Sequence, residues 1–465
     1  TGEPTDGPVT IPGEGTYKVD PTSGEVTFTP EKDFTGQATG VTVQRQDTNG
    51  TKVQASYTPK VKGVTPTATP AKTTDIQGKA QTGLPEFKGG TVTVNDEEKV
   101  VPIDETKAPK LIDPTTGQPT DKVVVDGEGT YTIEDGKVKF QPEPQFTGTA
   151  TGVEVQREDT NGTPVKAKYT PTVTPVKPTG EDVTSEDVQG VPQTGKPVFE
   201  GGDKEVPIDD KVPATFEDGS TEKKVPGEGT YTIDEEGNVT FTPNKDFTGQ
   251  ATGVTVQRQD TNGTTVQAKY TPKVKGVTPT ATPAKSKDIQ GKPQTGLPEF
   301  KGGTVTVNGV PKTVEIDETK APKLIDPETG EPTDEPVVIP GEGTYTIEDG
   351  KVKFQPEPQF TGKGEGVEVQ RVDKNGTPVT AKYTPTVVPV TPTGEDKTSV
   401  GPKGQPQTGT PEFKGGSVKI NGKEETVEID KDVPAKLVDP KTGDPVDSVT
   451  VEGEGTYTIE DGKVT

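Results

Sequence analysis

From Gly127 to Pro171 the chain reads GEGTYTIEDGKVKFQPEPQFTGTATGVEVQREDTNGTPVKAKYTP, with apolar residues recurring at every second position. Tyr131 and Ile133 are followed, across Glu134-Asp135-Gly136, by Val138 and Phe140. Side chains of a strand alternate between its faces, so this spacing predicts a β-hairpin with one apolar face, turned at a glycine free to take positive φ. Val153 and Val155 then alternate with polar residues, and Val165, Ala167 and Tyr169 alternate on the return, with Asn161-Gly162 expected to make the turn of a second hairpin. A Pro-rich corner between the hairpins leads to Phe146-Thr147-Gly148. Phe146 is expected in the core, with Tyr131, Phe140 and Tyr169 around it.

The same stretch recurs from Gly13 to Pro59, from Gly227 to Pro272 and from Gly341 to Pro385, and its first half returns from Gly453 to Thr465. The tyrosine of Gly-Thr-Tyr falls at Tyr17, Tyr131, Tyr231, Tyr345 and Tyr457, giving spacings of 114, 100, 114 and 112 residues. Solenoid repeats are far shorter, because each leans on its neighbours to bury a core, so these units are long enough to be domains. Openings of the type DIQGKAQTGLPEFKGG begin at Asp75 and Asp288, with looser copies at Asp187 and Gly401. They divide the chain into a truncated repeat at 1–74, repeats at 75–186, 187–287 and 288–400, and a truncated repeat at 401–465. In the shorter repeat 187–287, Lys211 to Val225 replaces the acidic, Pro-rich section around Leu111 to Asp121, and the length variation is expected there. Residues 33–72 and 246–285 are almost identical, which suggests growth by duplication of pairs of units. The expected fold is all-β: a tandem array of small β-sandwich-like domains of about 100–114 residues. Pro/Thr-rich linkers such as Tyr57 to Asp75 would be semi-rigid and make the array an elongated rod.

Composition sharpens this picture. Only 25% of the 465 residues are hydrophobic and 5% aromatic, so the cores must be small and disorder becomes a competing reading. Strict alternation and the abundance of Val and Thr favour half-buried strands instead. A net charge of -24, spread along the array, argues against nucleic acid and anionic membranes as partners, and like-charged units repel one another. No cysteine is present, so the fold needs no disulfide, as suits a Gram-positive surface protein. No apolar run is long enough to span a bilayer, and export and anchoring signals are expected outside this segment.

Candidate chemistry is sparse. Asp47-Thr48-Asn49-Gly50 and its copies at Asp159, Asp260 and Asp373 resemble the start of a calcium loop, but the further oxygen ligands and closing bidentate carboxylate are missing, and a hairpin turn accounts for them better. The same turns match the N-glycosylation pattern at Asn49, Asn161, Asn262 and Asn375, which the turn also explains. Pro-Gln-Thr-Gly at Pro192, Pro293 and Pro406 echoes part of a sortase signal, without the preceding Leu or a following apolar tail, and is read as a turn at each domain start. Without His or Cys the usual nucleophile–base and zinc constellations are closed. Carboxylate pairs for glycoside hydrolysis stay open in principle, but fourfold repetition favours solvated acidic faces. No Asn stands out as the acceptor of an intramolecular isopeptide bond. No catalytic, cofactor-binding or metal-binding residue is assigned, and no cofactor is expected.

The ordered series G-T-Y-x-I-x-x-x-G-x-V-x-F-x-P, F-T-G-x-A-T-G-V, V-Q-R, D-T-N-G-T and A-K-Y-T-P, with the openings Q-T-G-x-P-x-F, resembles the CshA-type fibril repeat of streptococcal surface adhesins over essentially the whole chain. The resemblance implies a non-enzymatic stalk segment of an extracellular, cell-wall-anchored Gram-positive fibrillar adhesin. Its N-terminal tip, outside this segment, would bind a host matrix or cell-surface ligand and serve host adhesion and biofilm formation. No ligand-binding residue carries over onto these repeats. Two alternatives stay open: the repeats themselves are multivalent binding modules for host matrix or sister repeats, or they act partly as a disordered entropic tether.

Overall fold

A computed structural model describes residues 4–465, and every regular element among them is a β-strand. The second repeat shows the plan. A four-stranded antiparallel sheet runs in the order Gln81–Gly83, Lys137–Pro142, Gly129–Glu134, Lys122–Val125. Its central hairpin pairs Tyr131 with Phe140 and Ile133 with Val138, as the alternation predicts. Asp135 and Gly136 turn it with φ of 49° and 72°, the mirror-image turn whose twist matches that of the flanking strands.

The facing sheet centres on Val153–Glu158 and the eleven-residue strand Pro164–Thr174. Val153 pairs with Tyr169 and Val155 with Ala167. Lys110–Ile112 adds antiparallel to Val153–Glu158, and Gly148–Thr149 pairs with the end of the long strand. Along the other edge of the long strand, Ala71–Ile76 pairs in parallel, with Ala71 opposite Tyr169 and Ile76 opposite Thr174.

The core lies between the two sheets. Leu111, Tyr131, Val138, Phe140, Val155 and Tyr169 are wholly buried. Tyr131 lies 4.6 Å from Phe140 and meets Tyr169 edge-on at 6.4 Å and 89°. Phe146 is at the rim instead of the centre: it is only partly buried and abuts Phe140 edge-on at 6.3 Å. It follows the Pro144-Gln145 corner outside the strands and so reaches the core from the side.

Gln-Thr-Gly is an edge strand here, not a turn, in the second, third and fourth repeats. The buried Gln81 joins the sheets, since its Oε1 accepts from Thr73 Oγ1 at 2.6 Å and its Nε2 donates to the Thr172 carbonyl at 2.9 Å. Thr73 Oγ1 also lies 2.7 Å from Tyr169 Oη. Gly83 is small because the Tyr169 ring passes it: a Cβ there would stand 2.4 Å from the ring.

The third and fourth repeats have the same two sheets and equivalent cores. Shortening of the third repeat occurs in two places, one more than the sequence suggested. The section around Phe216 turns back tightly, with Gly219 N donating to Phe216 O. In addition, the hairpin Gly90–Val94/Glu97–Val101, repeated at Gly303–Val307/Val310–Val314, shrinks to a single bridge between Asp203 and Val206. The Pro/Thr-rich stretch from Tyr57 is itself largely strand: Lys60–Val61, Thr67–Thr69 and Ala71–Ile76 leave residues 62–66 as its longest part outside strands.

In the end repeats the facing sheet is reduced to small pairs of strands, among them the hairpin Val41–Gln46/Lys52–Tyr57 and Leu437–Val438 paired with Pro445–Val446.

Candidate functional site: the joint between repeats

The Asp-Xaa-Asn-Gly turns are built around their aspartate. Asp260 is wholly buried, and its Oδ1 accepts the backbone N–H groups of Asn262 at 2.9 Å and Thr264 at 2.8 Å. Asp159 and Asp373 do the same in their turns. Only the glycine takes positive φ, at 81° for Gly263, so this is a longer turn ending in a left-handed glycine, not the two-residue Asn-Gly turn the sequence suggested. With Oδ1 committed to the backbone, the aspartate organises the turn. The Oδ2 atoms of Asp159, Asp260 and Asp373 have no hydrogen-bond partner in the protein. Among the described residues no group of three or more acidic side chains is placed to hold a metal ion.

Because Asp260 shapes the backbone, Asn262 is free to point out of its own repeat. Its Nδ2 donates to the carbonyl of Gln77 in the preceding repeat at 3.0 Å, and its own carbonyl accepts from Gln145 Nε2 at 2.5 Å. Asn375 repeats the contact one joint later, donating to Gln189 O at 2.9 Å. The receiving corner needs glycine: a Cβ on Gly78 would stand 2.0 Å from Asn262 Oδ1, and one on Gly190 would stand 2.1 Å from Asn375 Oδ1.

The glutamine before that glycine ties the corner to the connecting segment. Gln77 is buried; its Nε2 donates to Pro144 O at 2.8 Å and its Oε1 accepts from Val176 N at 3.2 Å. Gln189 repeats this with Lys245 O and Val277 N. Val277 is buried in turn with Val188 and Val314, and Val305 packs against them. The connecting segment therefore carries a small core of its own.

Ion pairs cross the joints at the periphery. Lys79 meets Glu205 at 2.7 Å, Lys312 meets Asp187 at 2.7 Å and Lys292 meets Glu425 at 2.7 Å. Hydrogen bonding to Glu205 raises the pKa of Lys79, and the same effect of Glu425 raises that of Lys292 while Lys292 lowers that of Glu425. These side chains are partly exposed, so water screens the pairs.

The sequence marks the turn residues Asn262 and Asn375 but gives them no partner. It misses Gln77 and Gln189 altogether, although both stand in the repeated Asp-Ile/Val-Gln-Gly opening. Asn161, the third copy, lies in a turn whose Gly162 is beside the Lys32 ammonium of the first repeat.

The family model described as surface adhesin CshA repetitive domain matches residues 1–61, 63–173, 175–274, 276–387 and 389–465. No curated protein matches the chain in sequence. Among solved structures, a titin tandem is 12% identical, spanning 70% of this chain and 99% of its own at a TM-score of 0.25. A fragment of mouse cadherin-23 is 13% identical, spanning 70% and 100%, at 0.27. The N-terminal eight Ig domains of Down Syndrome Cell Adhesion Molecule are 14% identical, spanning 75% and 43%, at 0.28. At such TM-scores these likenesses carry no argument about this chain.

Proposed function

The chain belongs to the surface adhesin CshA repetitive-domain family, and on that premise we propose that this segment is a non-enzymatic stalk whose joints hold successive repeats in a defined arrangement. The observation that carries the reading is the recurrence of one contact set at two joints: Asn262 on Gln77 and Asn375 on Gln189. A flexible tether gains nothing from a buried glutamine and a fitted glycine at each junction, whereas a spacer does. In place of divisions at 75, 187, 288 and 401, where the repeated openings begin, the units are taken to divide at the stretches outside strands at 62–66, 175–178, 276–279 and 389–392, because Ala71–Ile76, Val183–Val188 and Ala284–Ile289 each pair with the long strand of the repeat that follows. Such a stalk would stand on the wall of a Gram-positive cell and carry a host-binding tip beyond it, serving adhesion and biofilm growth. Among the described residues no helix is long and apolar enough to cross a membrane, so the proposal leaves anchoring to other parts of the protein.

Small-angle X-ray scattering of the chain tests this. Compact units of this size have diameters of roughly 35 Å, so an end-to-end arrangement gives a maximum dimension of at least about 140 Å. A particle near the size of a single compact globule overturns the reading.

A further inference from the structure

Asn262 and Asn375, whose side chains span the joints on either side of the third repeat, are each followed by a glycine, Gly263 and Gly376. Asparagine before glycine has a chemistry of its own. The main-chain nitrogen of the glycine, unhindered by any side chain, can attack the asparagine Cγ. A bond from that nitrogen to Cγ forms as the Cγ–Nδ2 bond breaks; the attacking nitrogen's proton leaves with Nδ2 as ammonia, and a cyclic imide remains. Water then opens the imide at either carbonyl, giving aspartate or, with the main chain rerouted through the side chain, isoaspartate.

The closed joint holds each atom that this reaction must move. Nδ2 of Asn262, the leaving nitrogen, donates to Gln77 O at 3.0 Å, and the attacking nitrogen of Gly263 donates to Asp260 O at 2.9 Å. Gln145 Nε2 holds the Asn262 carbonyl at 2.5 Å, and Oδ1 lies against the bare face of Gly78, where a Cβ would stand only 2.0 Å away. Cyclisation needs Cγ to turn toward Gly263 N, and these contacts oppose the turn. At the next joint, Asn375 Nδ2 donates to Gln189 O and Gly376 N to Asp373 O, both at 2.9 Å, with Gly190 as the bare face.

We infer that Asn262 and Asn375 are deamidation sites guarded by the joints: each keeps its amide while its joint is closed, loses it when the joint stands open, and cannot then close the joint again. An aspartate at 262 sets a carboxylate oxygen where Nδ2 was, against the Gln77 carbonyl, and two acceptors with no proton between them repel. Isoaspartate also lengthens the main chain of a turn whose amides at Asn262 and Thr264 are fixed on Asp260 Oδ1. Brief opening is therefore reversible and prolonged opening is not. The inference rests on the stalk reading, since only a joint that is normally closed can guard its asparagine.

Peptide mapping by mass spectrometry, on the whole chain held in mildly alkaline buffer, tests it. Asn262 and Asn375 should deamidate at least about fivefold more slowly than in the same chain unfolded in urea. Gly78→Ala forces the first of these joints open and should speed Asn262 by about fivefold or more while leaving Asn375 unchanged; Gly190→Ala should do the reverse. Gln145→Ala, at an exposed side chain outside the core, should speed Asn262 alone and by less. Because the chain has no cysteine, spin labels can be placed through Lys137→Cys and Glu235→Cys, one on each side of the first joint. Their distance distribution should broaden when Asn262→Asp is added. Rates equal to those of the unfolded chain, glycine variants that speed both asparagines or neither, or an unbroadened distribution would overturn the inference. Any of these results beside an extended particle in scattering removes this inference and leaves the stalk reading standing.

Discussion

Two kinds of residue carry the structure at the smallest scale: aromatics that fill the cores and glycines that let them in. Gly195 illustrates the second kind, because a Cβ there would lie 2.3 Å from the Tyr270 ring. Gly195→Ala is expected to destabilise the third repeat by about 1–3 kcal/mol, the usual cost of overpacking, read as a lower denaturant midpoint for that transition. Burial pushes the phenols of Tyr131, Tyr231 and Tyr345 far above their ordinary range, and those of Tyr169, Tyr270 and Tyr383 upward. A phenol whose pKa is raised by folding stabilises the fold below the unfolded value near 10 and loses that contribution as pH rises beyond it. Absorbance titration should therefore show these six ionising together with unfolding. Tyr131, Phe140 and Tyr169 were legible as core from period two alone. Phe146 was misplaced because a residue outside the strands has no period to fix its depth. Asn262 was legible as part of a turn but not as a contact, because its partner lies 185 residues away and nothing local encodes it.

Among the elements, hairpins were readable and long-range neighbours were not. The register of Gly129–Glu134 on Lys137–Pro142 follows from alternation and an Asp-Gly turn, whereas the parallel pairing of Ala71–Ile76 with Pro164–Thr174 leaves no mark in either segment. The hairpin Gly416–Ile420/Lys423–Val427 is held to the fourth repeat by Glu425 on Lys292. Glu425 is more acidic in the folded state, so its contribution is present above the ordinary glutamate range and disappears as pH falls through its lowered value. The protection of this hairpin's amides against hydrogen exchange, relative to their intrinsic rates, should fall as the pH drops below the ordinary glutamate range, before the cores melt. At the high-pH end, the Lys79–Glu205 pair should persist past the usual lysine range, because Lys79 holds its proton longer when folded. Double replacement of Asn262 and Asn375 by alanine removes the contact at both joints. Each loss is expected to cost about 1 kcal/mol of coupling, seen as less cooperative unfolding of adjacent repeats with little change in the repeats themselves.

For the molecule as a whole, repetition gives near-copies at alternating positions, with residues 33–72 and 246–285 almost identical and the intervening repeat more divergent. Neighbours that differ are less able to exchange elements during folding, a characteristic failure of tandem arrays. The parallel pair of strands has a consequence for an array under tension. The chain enters the second repeat through Ala71–Ile76 and leaves it through Pro164–Thr174, and these strands lie side by side over six residue pairs. A pull on the two ends draws them in opposite directions along their common axis. The ladder is then loaded in shear, so its rungs must yield together instead of opening one after another like a zipper. Single-molecule stretching should show abrupt, high-force steps, and the third repeat, about 11 residues shorter, should release roughly 40 Å less length than its neighbours. Gradual low-force extension would mean that the ladder opens from one end. In shear, a repeat stays shut under a steady drag and gives way only near its limit, lengthening the array in a single step.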